Sequence, residues 1–317
     1  MKSIAAFVTV ALTLASSSLA APALKRKGPG KRGLCWPFYN SPLDPGKLND
    51  GQGTVNLIYD YETFLPPSSN GNGGLNFIGM QRCLDCDSSP ISQLAARQQQ
   101  NGFSTLFTLN EPDINGITPQ QAADWYKQNI NPLPIKKALP AVTASQNPGQ
   151  GLDWLQQMLD ACAGQCFFDY INLVSSHFGV FSRMLSAEPP PQHHYGASFD
   201  QFKAHVEDAN TRFGKPIVIT EFALQAPATQ ADQCVFPSLS FSTHETNSTV
   251  FSGSHTTNKP LPSSTPLPSS RCTSPFVATS PSLFTKNDAN GANFVGTGST
   301  LYNDDGSISA VGQLMLQ

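Results

Sequence analysis

Phe103-Ser104-Thr105-Leu106-Phe107-Thr108-Leu109-Asn110-Glu111-Pro112-Asp113 carries most of the fold information in this chain. Its first seven residues are uncharged and rich in apolar and β-branched types, as in a strand buried on both faces, and the run stops at Asn-Glu-Pro. Working outward, similar short runs occupy Gly33–Phe38, Thr54–Tyr61, Leu75–Met80, Ile135–Val142, Phe168–Leu173 and Pro216–Phe222, giving seven candidate strands in all. Helical patterns lie between them, which is the mark of parallel βα units. Thr118-Pro119-Gln120-Gln121 predicts a capped helix start that runs through Ile130. Ser198-Phe199-Asp200-Gln201 predicts a second, with Phe199, Phe202, Val206, Ala209 and Phe213 as its apolar face. Seven strands and an expected eighth in the 285 residues after Arg32 predict an α/β fold, a single-domain (β/α)8 TIM barrel, which typically takes about 250 residues. A doubly wound open sheet is the alternative, but no G-x-G-x-x-G follows the first strand.

Two stretches break the rhythm. Residues 174–192 separate Tyr170-Ile171-Asn172-Leu173 from His193-His194-Tyr195-Gly196, beginning with Val and ending with Gln as the in-frame translation of a retained intron would. Residues 234–273, approximately, form a Ser/Thr/Pro-rich tract where a barrel needs its seventh helix and eighth strand. Two readings of that tract stand side by side: a flexible or O-glycosylated insertion, and an error of translation like the first.

The chain has 317 residues, 39% hydrophobic and 13% charged, with 19 Lys+Arg against 22 Asp+Glu. Such a composition excludes a disordered chain, and with no basic block in the interior it gives no footing for nucleic acid. Beyond the N-terminus no apolar run approaches the roughly 20 residues that cross a bilayer, so no membrane span is expected. Met1-Lys2, the apolar run Ile4 to Leu14 and the small residues to Ala20 predict a secretory signal peptide, residues 1–20. Residues 21–32 carry the dibasic pairs Lys25-Arg26 and Lys31-Arg32, as a propeptide trimmed during secretion would, leaving 33–317 as the mature domain. No apolar tail follows Gly306, which speaks against a GPI-type lipid anchor. Of seven cysteines, Cys83 with Cys86 and Cys162 with Cys166 read as local disulfides. No His stands at ligand spacing from either pair, so no metal is expected there.

Only six glutamates occur, and two of them, Glu111 and Glu221, end apolar strands. In a barrel both carboxylates reach the C-terminal rim, where catalytic groups gather. Paired carboxyls suit glycoside hydrolysis, in which one donates a proton to the departing oxygen and the other attacks or stabilises the anomeric carbon. A protease or esterase is a poorer reading, because neither G-x-S-x-G nor H-E-x-x-H is present.

Asn-Glu-Pro ending one strand and Thr-Glu-Phe another resemble the clan of retaining (β/α)8 glycosidases. Arg32-Gly33-Leu34-Cys35-Trp36-Pro37, Leu109 to Asp113, His193-His194-Tyr195-Gly196 and Phe213 to Ala223 narrow the resemblance to glycoside hydrolase family 128. This is the alkali-sensitive-linkage-protein type of catalytic core, found in fungal secreted and cell-wall proteins. The resemblance implies endo-β-1,3-glucanase activity on β-glucan by double displacement with no cofactor, and a secreted or wall-located monomer. It assigns the acid/base to Glu111 and the nucleophile to Glu221. It also implies substrate contacts from Asn110, His193 and Tyr195, and sugar stacking or core packing for Trp36 and Tyr59. Asp113 reads as a cap for the following turn. The family's strand-two Trp-Tyr-Asn-Trp-like stretch is replaced by Leu57-Ile58-Tyr59-Asp60-Tyr61, and the approach to strand eight departs as well. A non-catalytic wall-binding protein on the same barrel is the competing reading.

Overall fold

The computed structural model describes residues 32–174, 199–221, 242–243, 251–252 and 300–316. The strands are β1 (Arg32–Cys35), β2 (Val55–Tyr59), β3 (Asn76–Phe77), β4 (Gly79–Gln81), β5 (Thr105–Asn110), β6 (Lys136–Ala141), β7 (Ile171–Val174) and β8 (Ile217–Glu221). Pairing is parallel and follows chain order from β1 to β3, from β4 to β6, and from β7 to β8. Parallel bridges from Ala138 to Tyr170 and from Val142 to Leu173 join β6 to β7. The third predicted strand is the one correction to the strand list, for it is split at Ile78 into β3 and β4. The Ile78 amide donates to Ile58 at 2.9 Å and that of Met80 to Glu62 at 2.8 Å, so the first half pairs β2 and the second meets the turn just beyond it. At Gly79 any side chain would strike the Phe103 ring, whose atoms lie 2.7 Å from where a Cβ would stand.

Two separate apolar clusters explain why these strands read as nearly continuous apolar runs. Outward residues such as Leu34, Ile58, Leu106, Leu139, Ile171 and Ile219 pack with the helices. Inward ones form a second cluster holding Cys35, Tyr59, Met80, Phe107 and Ala138, with Tyr170 and Val218 against it, so both faces of the strands carry apolar residues. In a flat sheet β8 would lie five strand spacings from β2, about 24 Å. Yet the Tyr59 hydroxyl donates to the Thr220 carbonyl at 2.9 Å. The sheet therefore curls back on itself around the inner cluster. The predicted eighth strand falls outside the described residues, as do residues 175–198 and nearly all of the Ser/Thr/Pro-rich tract. Within that tract Ser242–Thr243 (β9) and Phe251–Ser252 (β10) pair antiparallel.

The helices are α1 (Leu94–Asn101), α2 (Pro119–Trp125), α3 (Gly151–Cys162), α4 (Phe199–Phe213) and α5 (Ala310–Met315). At α2 the predicted capping box is present, Thr118 and Gln121 each bonding the other's backbone, and a π-helical turn over Tyr126–Ile130 continues it. In α4, Phe202, Val206 and Ala209 are buried with Phe213 packed beside them. The side chain of Phe199 and the cap Ser198 are outside the described residues. Disulfides join Cys83 to Cys86 and Cys162 to Cys166. The C-terminal segment closes against the start of the chain: Arg32 donates to the Met315 carbonyl at 3.0 Å and Tyr302 to that of Asp44 at 2.8 Å. Arg32, assigned by the dibasic pattern to the trimmed segment, is thus a buried member of β1. Among the described residues no helix is long and apolar enough to cross a membrane.

Candidate active site

Because β1 to β8 pair parallel, their carboxyl ends share one rim, and Asn110, Glu111 and Glu221 stand there. Glu111 follows β5 directly and leaves it with φ of 48°, a left-handed conformation that few non-glycine residues adopt. Its amide donates to the Ala141 carbonyl at 2.8 Å, and its own carbonyl accepts from the Asn115 side chain at 2.9 Å. The kink is thus tied to β6 on one side and to the following turn on the other. Asn110 ends β5, its amide donating to Arg82 at 2.8 Å, while its side-chain oxygen is buried with no hydrogen-bond partner among the described residues. A buried acceptor left unmet costs about 1–3 kcal/mol, and a sugar hydroxyl donating to it would remove that cost.

Asp113 does more than cap the next turn. It accepts from the Thr143 hydroxyl at 2.5 Å and from the Gly151 amide at 2.9 Å, binding the loop after β5 to the loop after β6 and to the start of α3. Glu221 is the last residue of β8, in register with Val174. Its Oε1 accepts from the Tyr61 hydroxyl at 2.5 Å. Behind it Thr220 donates to Asn172 at 2.8 Å and receives Tyr59 at its carbonyl.

Trp36 and Tyr59 are corrected from the substrate list to the core. Trp36 is fully buried, edge-on to Tyr302 at 5.8 Å, with its indole nitrogen donating to Pro67. Tyr59 is 1% exposed, edge-on to Phe107 and Tyr61. Stacking a sugar needs an open ring face, and neither ring has one. His193 and Tyr195 lie outside the described residues.

Sequence reasoning missed two residues, both just beyond β2. One is Tyr61, whose side chain reaches the predicted nucleophile. The other is Asp60, 4% exposed, its Oδ1 accepting from the Glu62 amide at 3.2 Å. Burial first, and then the charge of Glu62, push the Asp60 carboxyl up to about 8. Glu62 is itself held by Arg82, Ser88 and Ser89. The only hint in the sequence was the altered strand-two stretch. Among the described residues no group of three or more potential metal ligands occurs.

A curled parallel sheet with two carboxylates at strand carboxyl ends is an arrangement that glycosidase cores use. The sequence profile of the glycosyl hydrolase catalytic core matches residues 33–257. An endo-β-1,3-glucanase of glycoside hydrolase family 128, subgroup IV, from Lentinula edodes is 43% identical, covering 90% of this chain and 99% of that one, with a TM-score of 0.69. The chain therefore belongs to glycoside hydrolase family 128. A subgroup VI exo-β-1,3-glucanase from Aureobasidium namibiae, 16% identical over 91% of this chain and 96% of its own, with a TM-score of 0.59, shares the fold. Alkali-sensitive linkage protein 1 of Schizosaccharomyces pombe is 26% identical over 215 residues, 66% of this chain. This chain spans about a third of the length of that relative, 34%.

Proposed function

We propose that this chain is a secreted β-1,3-glucan hydrolase, endo-acting like its Lentinula relative, which works by retaining double displacement on a closed (β/α)8 barrel. The observation that carries this reading is the placement of Glu111 and Glu221 at the carboxyl ends of parallel strands inside the matched catalytic core. Glu221 attacks the anomeric carbon as the glycosidic C–O bond breaks, and Glu111 gives its proton to the leaving oxygen. A water, deprotonated by Glu111, then attacks the same carbon and releases Glu221, so the configuration is retained. Asn110 holds the 2-hydroxyl, a contact that tightens as positive charge grows on the ring. His193 and Tyr195 supply further substrate contacts. Residues 1–20 direct secretion, a short basic segment is trimmed after them, and the remainder works as a monomer in the wall or the medium.

Glu111→Gln and Glu221→Gln, assayed on laminarin by reducing-end release, test this. Loss of cleavage in both, with laminarin binding kept, supports it. Cleavage unchanged in both sinks the mechanism, and an unmutated chain that binds laminarin without ever cutting it would establish the wall-binding reading instead.

A further inference from the structure

After β2 the backbone turns at Tyr61, with φ of 66°, and this left-handed step carries its phenol to Glu221 Oε1 on the far side of the curl. Two groups stand behind the phenol. The Tyr59 ring meets it edge-on at 5.3 Å, and Cys35 on β1 packs with both tyrosines in the inner cluster. Tyr59 also fixes the residue before Glu221 by donating to the Thr220 carbonyl. The end of β2 thus braces the end of β8 through two side chains, Tyr59 and Tyr61. Among the described residues, the titratable groups brought together here are Cys35 on β1, Tyr59 and Tyr61 at the end of β2, and Glu221 on β8, with Glu111 at the end of β5.

We propose that Tyr61 is a positioning residue for the nucleophile: it fixes the orientation of the Glu221 carboxylate and keeps that carboxylate ionised to lower pH. The proposal rests on the reading of Glu221 as nucleophile. A hydroxyl donating to the charged form of a carboxyl stabilises the anion and lowers its proton affinity. Burial, with the nearby Cys35, Glu221 and Tyr59, raises the Tyr61 phenol well above its ordinary range, so it remains a donor at every working pH. In the covalent intermediate the donor persists against an ester oxygen, a weaker acceptor, and the stronger bond re-forms when Glu221 is released.

Tyr61→Phe keeps the ring and removes only the donor. The full-length variant is compared with the parent chain on laminarin for kcat, for KM and for the pH dependence of kcat/KM. A fall in kcat on the order of 10- to 100-fold is expected with KM changed less than about 3-fold, since a charge-assisted bond to the nucleophile is lost. The acid limb of the kcat/KM profile moves to higher pH by about half a unit or more. An unmoved limb with kcat within about 2-fold overturns the proposal. Should Tyr61→Phe fail to fold, 3-fluorotyrosine placed at position 61 keeps ring and hydroxyl and makes the phenol a stronger donor; an acid limb moved to lower pH supports the proposal, and an unmoved limb overturns it. Glu221→Gln separates the two levels. Full activity in that variant defeats the nucleophile reading itself, whereas an inactive Glu221→Gln beside an unchanged Tyr61→Phe defeats only the role of Tyr61.

Discussion

The ends of β2 and β5 are built alike and read very differently. Each strand leaves the sheet through a non-glycine residue in the left-handed region, Tyr61 at 66° and Glu111 at 48°. In each, the residue before the kink is a buried or partly buried polar side chain with an atom that finds no partner among the described residues, Asp60 Oδ2 in one and Asn110 Oδ1 in the other. Beyond β5 the chemistry is written in residue type, because Asn-Glu-Pro at a strand end supplies the proton donor and the hydroxyl contact of the proposed mechanism. Beyond β2 it depends on a partner 160 positions away, since a tyrosine has no evident role until the curl brings it to Glu221. The rim is thus divided between groups that act on substrate and groups that hold them.

The largest effects should come from the acting groups. Replacing Glu111 or Glu221 by a small residue is expected to lower kcat on the order of a thousandfold or more. Added azide distinguishes the two: it should restore turnover of an activated β-glycoside as the β-azide when Glu111 is replaced by Ala, and as the α-azide when Glu221 is replaced by Gly. The same anomer from both would erase the division of labour. Asn110→Ala comes next, with kcat/KM down on the order of a hundredfold, because a 2-hydroxyl contact that strengthens in the transition state supplies several kcal/mol. Full retention of kcat/KM on oligosaccharides would remove Asn110 from the site.

Asp60 sharpens the comparison through stability. Its carboxyl keeps its proton to about 8 in the folded chain, whereas the ordinary value is 3.8. Between those values the unfolded chain has released a proton that the folded chain retains, so stability falls as pH rises, by at most about 1.4 kcal/mol per unit. Asp60→Asn removes the penalty, so Tm should rise by several degrees at pH 8 and hardly change at pH 4. An equal gain at both values would locate the effect elsewhere. The smallest change is expected from Tyr59→Phe, which costs about 1 kcal/mol for one hydrogen bond. A large rise in KM there would return Tyr59 to the sugar.

Much of the scaffold was legible because a parallel strand buried on both faces writes itself as an apolar run. All seven predicted strand positions are occupied, and the cap at Thr118 is where the Ser/Thr-Pro-x-Gln pattern puts it. The break at Ile78 was not legible, since the approach of the Phe103 ring to Gly79 is a contact between distant segments. Trp36 and Tyr59 were ambiguous for a related reason: an aromatic on such a strand looks the same whether it faces a cleft or the core, and the register decides. Asp60 showed only as an acid in an altered stretch. What makes it unusual is the depth at which the curl buries it.

The central claim, that Glu221 forms the covalent bond to sugar, is tested most directly by trapping. Incubation with a 2-deoxy-2-fluoro-β-laminaribiosyl fluoride, followed by proteolysis and mass spectrometry, should place one glycosyl adduct on the peptide at Glu221 and leave Glu111 unmodified. An adduct on another carboxylate, or steady turnover of the reagent to an inverted product with no adduct, would contradict it.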